Sequence, residues 1–315
     1  MTLALALSGV GLVLLPGCAR PLGRRLPPAE WATLCAVLLG VGAAALELAL
    51  LAVGATTVLH VTGLDDLAGL CERILGTAWP GGAPAGLLAA AAAAAVAVAA
   101  LGIREAVRVR RTRRAVRFAP ELGRRVPADG YDVVVLPSQR PLAFAVPSQP
   151  RQVVISDGLV DALAEEELAA VLRHEAAHLR HRHHRHLLLV TVIERALGVV
   201  PLVGRSTSAL RCALERWADE DAAIADGDRA SVRSALLRVS EVMVAGEVAA
   251  FVTVATVAER LEALQAPPLR RVPAGRRVLV YAPAALLLVA MAVSLTGLVE
   301  HMAVVHLLAG LCPLG

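Results

Sequence analysis

The sequence contains no lysine and no asparagine, and aromatic residues make up only 3% of it. All 31 basic residues are therefore arginines. An all-arginine complement reads as coding bias and carries no function by itself. Cysteine is scarce: Cys18, Cys35, Cys71, Cys212 and Cys312, with no C-x-x-C pair. That spacing excludes a cysteine zinc ribbon and a thioredoxin-like motif. The first ten residues carry no basic side chain, which a secretory signal needs. Leu15-Pro16-Gly17-Cys18 is thus only a loose match to a lipoprotein cleavage site. Charge of either sign is thin, at 18% against 57% hydrophobic residues, and mean hydropathy is +0.64. Soluble domains seldom combine these values with long uncharged runs, so a membrane class is the first expectation.

Four segments are apolar over lengths approaching the roughly 20 residues that cross a bilayer. They run from about Thr2 to Pro16, Trp31 to Leu59, Gly86 to Ile103 and Val278 to Val299. The first is short and spans only with local thinning. Arginine is confined to particular flanks. Arg20, Arg24 and Arg25 separate the first two segments, and seven arginines follow the third between Arg104 and Arg117. Arg270, Arg271, Arg276 and Arg277 precede the fourth. Acidic residues dominate between the second and third segments, and no arginine follows the fourth. The positive-inside rule then puts the first loop and the 104–277 stretch in the cytoplasm and both chain ends outside. This clustering points to membrane topology and the lipid bilayer rather than to direct nucleic-acid binding.

The expected organisation is three transmembrane helices with loops over 1–117, a cytoplasmic domain over 118–273, and a fourth helix with a short outer tail over 274–315. The middle stretch alone has mixed composition, and its length suits one globular domain. Asp132–Leu136 and Val153–Ile155 read as strands, and helical patterns dominate from Ala164 onward. Glu47 lies inside the second span; an intramembrane carboxylate is a functional candidate, although a protonated or paired side chain is the simpler reading. Cys71 and Cys312 both fall on the expected outer side, where a disulfide is permitted.

Residues 174–178 read His-Glu-Ala-Ala-His. On a helix, positions i and i+4 share a face, so both imidazoles can reach one Zn²⁺. Glu175 is rotated by about 100° from His174, which suits a general base beside the attacking water. Glu165, Glu166 and Glu167 favour a helix start there. Leu168 and Val171 lead into His174 and His178 on one stripe, so the histidines point inward, which is costly unless they are bonded or ligated. Downstream, Glu215 and Asp219 are again i, i+4. Glu215 is a candidate third ligand, and Asp219 a candidate partner for a ligand histidine's other nitrogen. An ordinary solvated acidic face is the competing reading, since Glu220 and Asp221 follow. The run Arg180-His-Arg-His-His-Arg-His186 reads as a cationic, solvated or headgroup-facing surface, with an accessory metal or pH-sensing role as the alternative.

Several motifs occur in order: Ala143-Phe144-Ala145, Ile155-Ser-Asp-Gly-Leu159, Glu167-Leu-Ala-Ala-Val171, His174-Glu-Ala-Ala-His178 and Glu215-Arg-Trp-Ala-Asp219. Over about residues 140–265 the chain resembles membrane gluzincins, of HtpX type and of BlaR/MecR antirepressor type. The resemblance implies a zincin-like α+β peptidase domain with a small sheet, one zinc ion, Glu215 as third ligand and Asp219 behind a ligand histidine. It also implies that Ala143, Phe144 and Ala145 form a strand on which an extended peptide lies. Three apolar segments before the domain and one after it match the BlaR/MecR plan more closely. The family often has an aspartate five residues past the second histidine, where this chain has His183. The tail after the fourth segment is too short for a penicillin-binding sensor domain.

The expectation is a mainly α, multi-pass plasma-membrane protein with four transmembrane helices and a cytoplasmic zinc endopeptidase domain. Its substrate is a protein or peptide: a cytosolic regulator such as a transcriptional repressor, or itself. An HtpX-like quality-control protease and an inactive, zinc-stabilised membrane signalling or scaffold protein are the alternatives.

Overall fold

The computed structural model describes residues 2–75, 85–116, 123–147, 150–198, 200–245, 254–269 and five residues between 281 and 289. The fourth expected span lies mostly, and Cys312 wholly, outside the described residues, so the expected Cys71–Cys312 pairing has only Cys71 within them. The apolar N-terminal segments fold into α1 (Thr2–Cys18) and α3 (Pro28–Val61), joined by the short α2 (Arg20–Gly23). Among the described residues, only α3 is both long and apolar enough to cross a bilayer; α1 is apolar but shorter. The two backbones touch where Gly9 faces Gly42: a Cβ on either would come within 3 Å of the other's carbonyl. Only small residues allow that approach between apolar helices.

The acidic stretch after the second span is a helix, α4 (Asp65–Leu75), rather than a plain loop. Asp65 and Asp66 occupy its first turn, where negative charge suits the helix dipole. The third apolar segment belongs to a longer helix, α5 (Ala85–Val116), which continues through the arginine-rich stretch.

The expected strands are present as β2 (Tyr131–Leu136) and β4 (Gln152–Ser156), with β1 (Arg124–Ala128) and β3 (Ala143–Val146) added. The sheet order is β1-β2-β4-β3. β1 and β2 form an antiparallel hairpin, closed at Gly130 in a left-handed conformation with φ +81°. β2 and β4 are parallel, and β4 is buried along its whole length, which explains its unbroken apolar run. β3 pairs antiparallel with β4 and forms one edge of the sheet.

Ser156 ends β4 and caps α6 (Asp157–Ala162), its hydroxyl accepting from the Leu159 and Leu142 amides. Next comes α7 (Glu165–Arg180), whose start is fixed by the Glu167 carboxylate accepting from the Ala164 amide at 3.1 Å. Leu168, Leu172 and Leu179 pack it onto Val133, Val135, Val153 and Ile155 of the sheet. Full burial of each such aliphatic contributes about 1.5–3 kcal/mol. Arg182 then adopts φ 55°, alone among the described non-glycine residues in being left-handed, and the chain turns into α8 (His183–Leu197). α9 (Pro201–Asp226), α10 (Arg229–Ala245) and α11 (Val254–Gln265) complete the described chain.

The largest core cluster crosses residue 117. Val190 and Ile193 of α8 and Val203, Leu210 and Leu214 of α9 pack against Val13, Trp31, Cys35 and Leu39. Leu39 lies eleven residues into α3, about 16 Å along its axis. The α8–α9 hairpin therefore runs beside the N-terminal helices rather than standing apart from them.

Candidate metal centre

Two helices meet at the site. α7 brings His174 and His178 one turn apart, with their Nε2 atoms 3.2 Å from each other. α9 crosses behind them and supplies Glu215. Its Oε2 is 3.4 Å from His174 Nε2 and its Oε1 3.6 Å from His178 Nε2. Atoms each about 2.0–2.1 Å from a tetrahedral zinc lie roughly 3.3 Å apart. The two imidazoles and the carboxylate, which meets each ring through a different oxygen, are thus gathered within reach of one ion. His174, His178 and Glu215 form the only such cluster of metal-binding side chains among the described residues.

The surrounding groups fix the ligands. His174 Nδ1 is 3.0 Å from Asp219 Oδ1, so Nε2 is left for a metal. Asp219, almost wholly buried, also accepts two hydrogen bonds from Arg260, from Nε at 2.8 Å and Nη2 at 2.7 Å. Arg260 Nη1 is 3.2 Å from Glu215. Glu220 and Asp221 turn away, to Arg229 and to Arg180 respectively, so the solvated acidic face exists but excludes Glu215 and Asp219.

The electrostatics favour a cation. Burial pushes the Asp219 carboxyl up, but the Arg260 guanidinium and the His174 bond outweigh it and hold its pKa at about 2. Glu215 lies well below the usual carboxylate range: burial opposes this, but His178, His174 and Arg260 overcome it. Burial also pulls His174 down, yet its bonds to Asp219 and Glu215 raise its pKa to about 10. In the absence of metal, a proton on His174 thus takes the place of positive charge between two carboxylates. Burial lowers His178, leaving its nitrogens free of extra protons. A neutral imidazole and a carboxylate that resists protonation, beside a histidine whose proton a dication can displace, make a donor set that fits Zn²⁺.

The site opens to a cleft of about 270 Å³ lined by Glu175, His174, His178 and Glu215, with Ala143, Phe144 and Ala145 along one wall. The structure thus places the sheet edge β3 beside the metal-site helix. A second cavity of about 160 Å³ shares Glu175, His174 and Glu215 and is otherwise mainly aliphatic, bounded by Val171, Val232 and Leu236.

Two residues at the site were not legible as such. Arg260 lies 41 residues beyond Asp219 on a separate helix, and no spacing rule links them. Its neighbour Glu259 accepts from Arg20 at 2.7 Å and Arg24 at 3.2 Å, tying the loop between α1 and α3 to the helix that carries Arg260. The second is His183. The expected solvated or headgroup-facing histidine run is corrected here. His183 is fully buried, with Nδ1 2.9 Å from His178 Nδ1, because the left-handed residue Arg182 breaks the helix and redirects the chain instead of letting it run on unbroken. Arg180 and Arg185 carry the charged character of that run at the surface.

Comparison with known proteins agrees with this geometry. The model of Peptidase family M48 matches residues 106–263, half of the chain. Three relatives are each named Protease HtpX homolog. That of Acidiphilium cryptum is 34% identical over 70 residues, 22% of this chain and 24% of the relative. That of Methanocaldococcus jannaschii is 30% identical over 73 residues, 22% of this chain and 25% of the relative. That of Salinibacter ruber is 33% identical over 75 residues, 23% of this chain and 26% of the relative. The chain therefore spans about a quarter of the length of these relatives. No solved structure matches it.

Proposed function

This chain belongs to peptidase family M48, and on that premise we propose that it is a membrane-embedded zinc endopeptidase with His174, His178 and Glu215 as ligands and Glu175 as general base. The observation that carries this reading is the convergence of two Nε2 atoms and one carboxylate from two helices, 3.2–3.6 Å apart. When bound, zinc supplies a Lewis acid that acidifies water and polarises a carbonyl. Glu175, in the cleft one position after His174, takes the proton of the attacking water and passes it to the leaving amine. Asp219 keeps His174 in the tautomer that presents Nε2, and Arg260 holds Asp219 ionised. β3 is an edge strand of the described sheet and borders the cleft, which supports reading it as the strand beside which an extended peptide lies, with Ala143, Phe144 and Ala145 along the backbone of the substrate.

The proposed setting is a multi-pass plasma-membrane protein with the 118–273 region facing the cytoplasm and both termini outside, from the distribution of arginine. A BlaR/MecR-like role, in which a cytosolic regulator or the chain itself is cut, follows from the three apolar segments ahead of the site. An HtpX-like quality-control role has its own support, since the three relatives described above carry that name. An inert scaffold is the reading least supported, because Glu175 faces the cleft where a purely structural metal site has no use for it.

Wild type and Glu175→Gln, purified in detergent with zinc content measured in both, are to be compared on casein and for self-cleavage. Activity confined to wild type, with equal zinc, is the expected result. Identical behaviour of the two proteins removes the protease reading.

A further inference from the structure

We propose that His183 is a positioning residue for the metal ligand His178, accepting the Nδ1–H of His178 so that its Nε2 is committed to the ion. The inference rests on the metal-site reading above and goes beyond it in assigning this histidine. An Nδ1-to-Nδ1 distance of 2.9 Å requires one ring to donate and the other to accept. If His178 binds metal through Nε2, its proton sits on Nδ1, so His183 must be the acceptor and must carry its own proton on Nε2. The chain is shaped to deliver this contact. On an unbroken helix, residue 183 would lie about 140° around from residue 178. The left-handed backbone at Arg182, a conformation that costs a non-glycine residue roughly 1 kcal/mol or more, instead turns the histidine back beneath His178.

The acceptor is held in place from its other faces. Its ring centroid is 4.9 Å from that of Trp217 and 5.7 Å from that of His181, stacked on the latter at 26°. The ring is wholly buried. The two ligand histidines therefore have unlike supports: His174 leans on an ionised aspartate and His178 on a neutral imidazole. A carboxylate beneath His178 would make it a stronger donor to the metal; the imidazole fixes the tautomer without adding charge.

Zinc affinity of the full chain in detergent, measured by chelator competition, tests this together with the absorption spectrum of the cobalt-substituted protein. His183→Leu removes the acceptor and should weaken zinc by about 10–100-fold. His183→Asp restores an acceptor that cannot donate and should return affinity to the wild-type value or above. Wild-type affinity in His183→Leu overturns the assignment. If the leucine variant does not fold, the aspartate variant decides alone: wild-type affinity or tighter supports the assignment, and a tenfold loss overturns it. Absence of zinc from the wild type would overturn the metal-site reading and this one together, whereas zinc-bound wild type with an equally tight leucine variant overturns only this one.

Discussion

Arg260→Met is expected to cost the metal-free protein far more stability than the zinc-loaded protein. The arginine side chain is 11% exposed, makes two hydrogen bonds to Asp219 at 2.7 and 2.8 Å, and lies 3.2 Å from Glu215. Methionine keeps most of its length and packing but none of its charge. Asp219, itself 2% exposed, then keeps its bond to His174 but loses its cation beside the partly exposed Glu215 carboxylate. Removing one member of such a buried pair typically costs about 3–5 kcal/mol. At roughly 2–4 °C per kcal/mol for a unit of this size, the melting temperature in chelator should fall by some 6–20 °C. Bound zinc brings positive charge to the same carboxylate, so the fall should shrink clearly when the metal is present. Thermal unfolding of both proteins in detergent, at one scan rate and with either chelator or zinc, reads the effect. Equal shifts in the two conditions, or no shift in chelator, would refute the claim that Arg260 and the metal share the task of balancing these carboxylates.

Two more outcomes follow from the same geometry. Asp219 has a folded pKa of about 2, below its ordinary value, so its stabilisation is complete above about pH 4 and is lost as the pH falls through 2; the metal-free wild type should lose about 2 kcal/mol across that window. Denaturant unfolding at pH 5 and near pH 2 measures this, and Asp219→Asn should show a shallower loss; parallel profiles would sink the argument. A fragment covering 118–273 should aggregate without detergent, since Val190, Ile193, Val203, Leu210 and Leu214 lose the cover of Val13, Trp31, Cys35 and Leu39; a monodisperse, zinc-binding fragment in plain buffer would contradict the shared core.

The parts of the site that follow a local period were legible. His174 and His178 share a helix face because 3.6 residues make a turn, and Glu215 and Asp219 do so for the same reason. The apolar runs announced α1 and α3, with bounds wrong by only a few residues. Short β-branched runs announced β2 and β4, but β1, of sequence Arg-Arg-Val-Pro-Ala and exposed throughout, gave no such pattern. The acidic stretch that became α4 read as part of a loop because its charges, Asp65, Asp66 and Glu72, were weighed as topology signals and its helical apolar spacing was not. The histidine run failed for a different reason: its composition looks solvated, and nothing in the residue order says that the helix breaks at Arg182 and buries His183.

The sequence alone therefore singled out the candidate cation-binding side chains and the helix faces they share, because helical spacing is a property of neighbouring residues. It also marked the long apolar run that became α3, the described helix long and apolar enough to cross a bilayer. Only the tertiary structure decided that α9 crosses α7 so that Glu215 meets His174 and His178, that Arg260 arrives from α11 beside Asp219 and Glu215, and that His183 lies against His178. It likewise decided that the site-bearing hairpin shares its core with the N-terminal helices. Each of these joins residues far apart in the chain or depends on a break in a helix, and they meet only because packing of apolar faces brings the helices together.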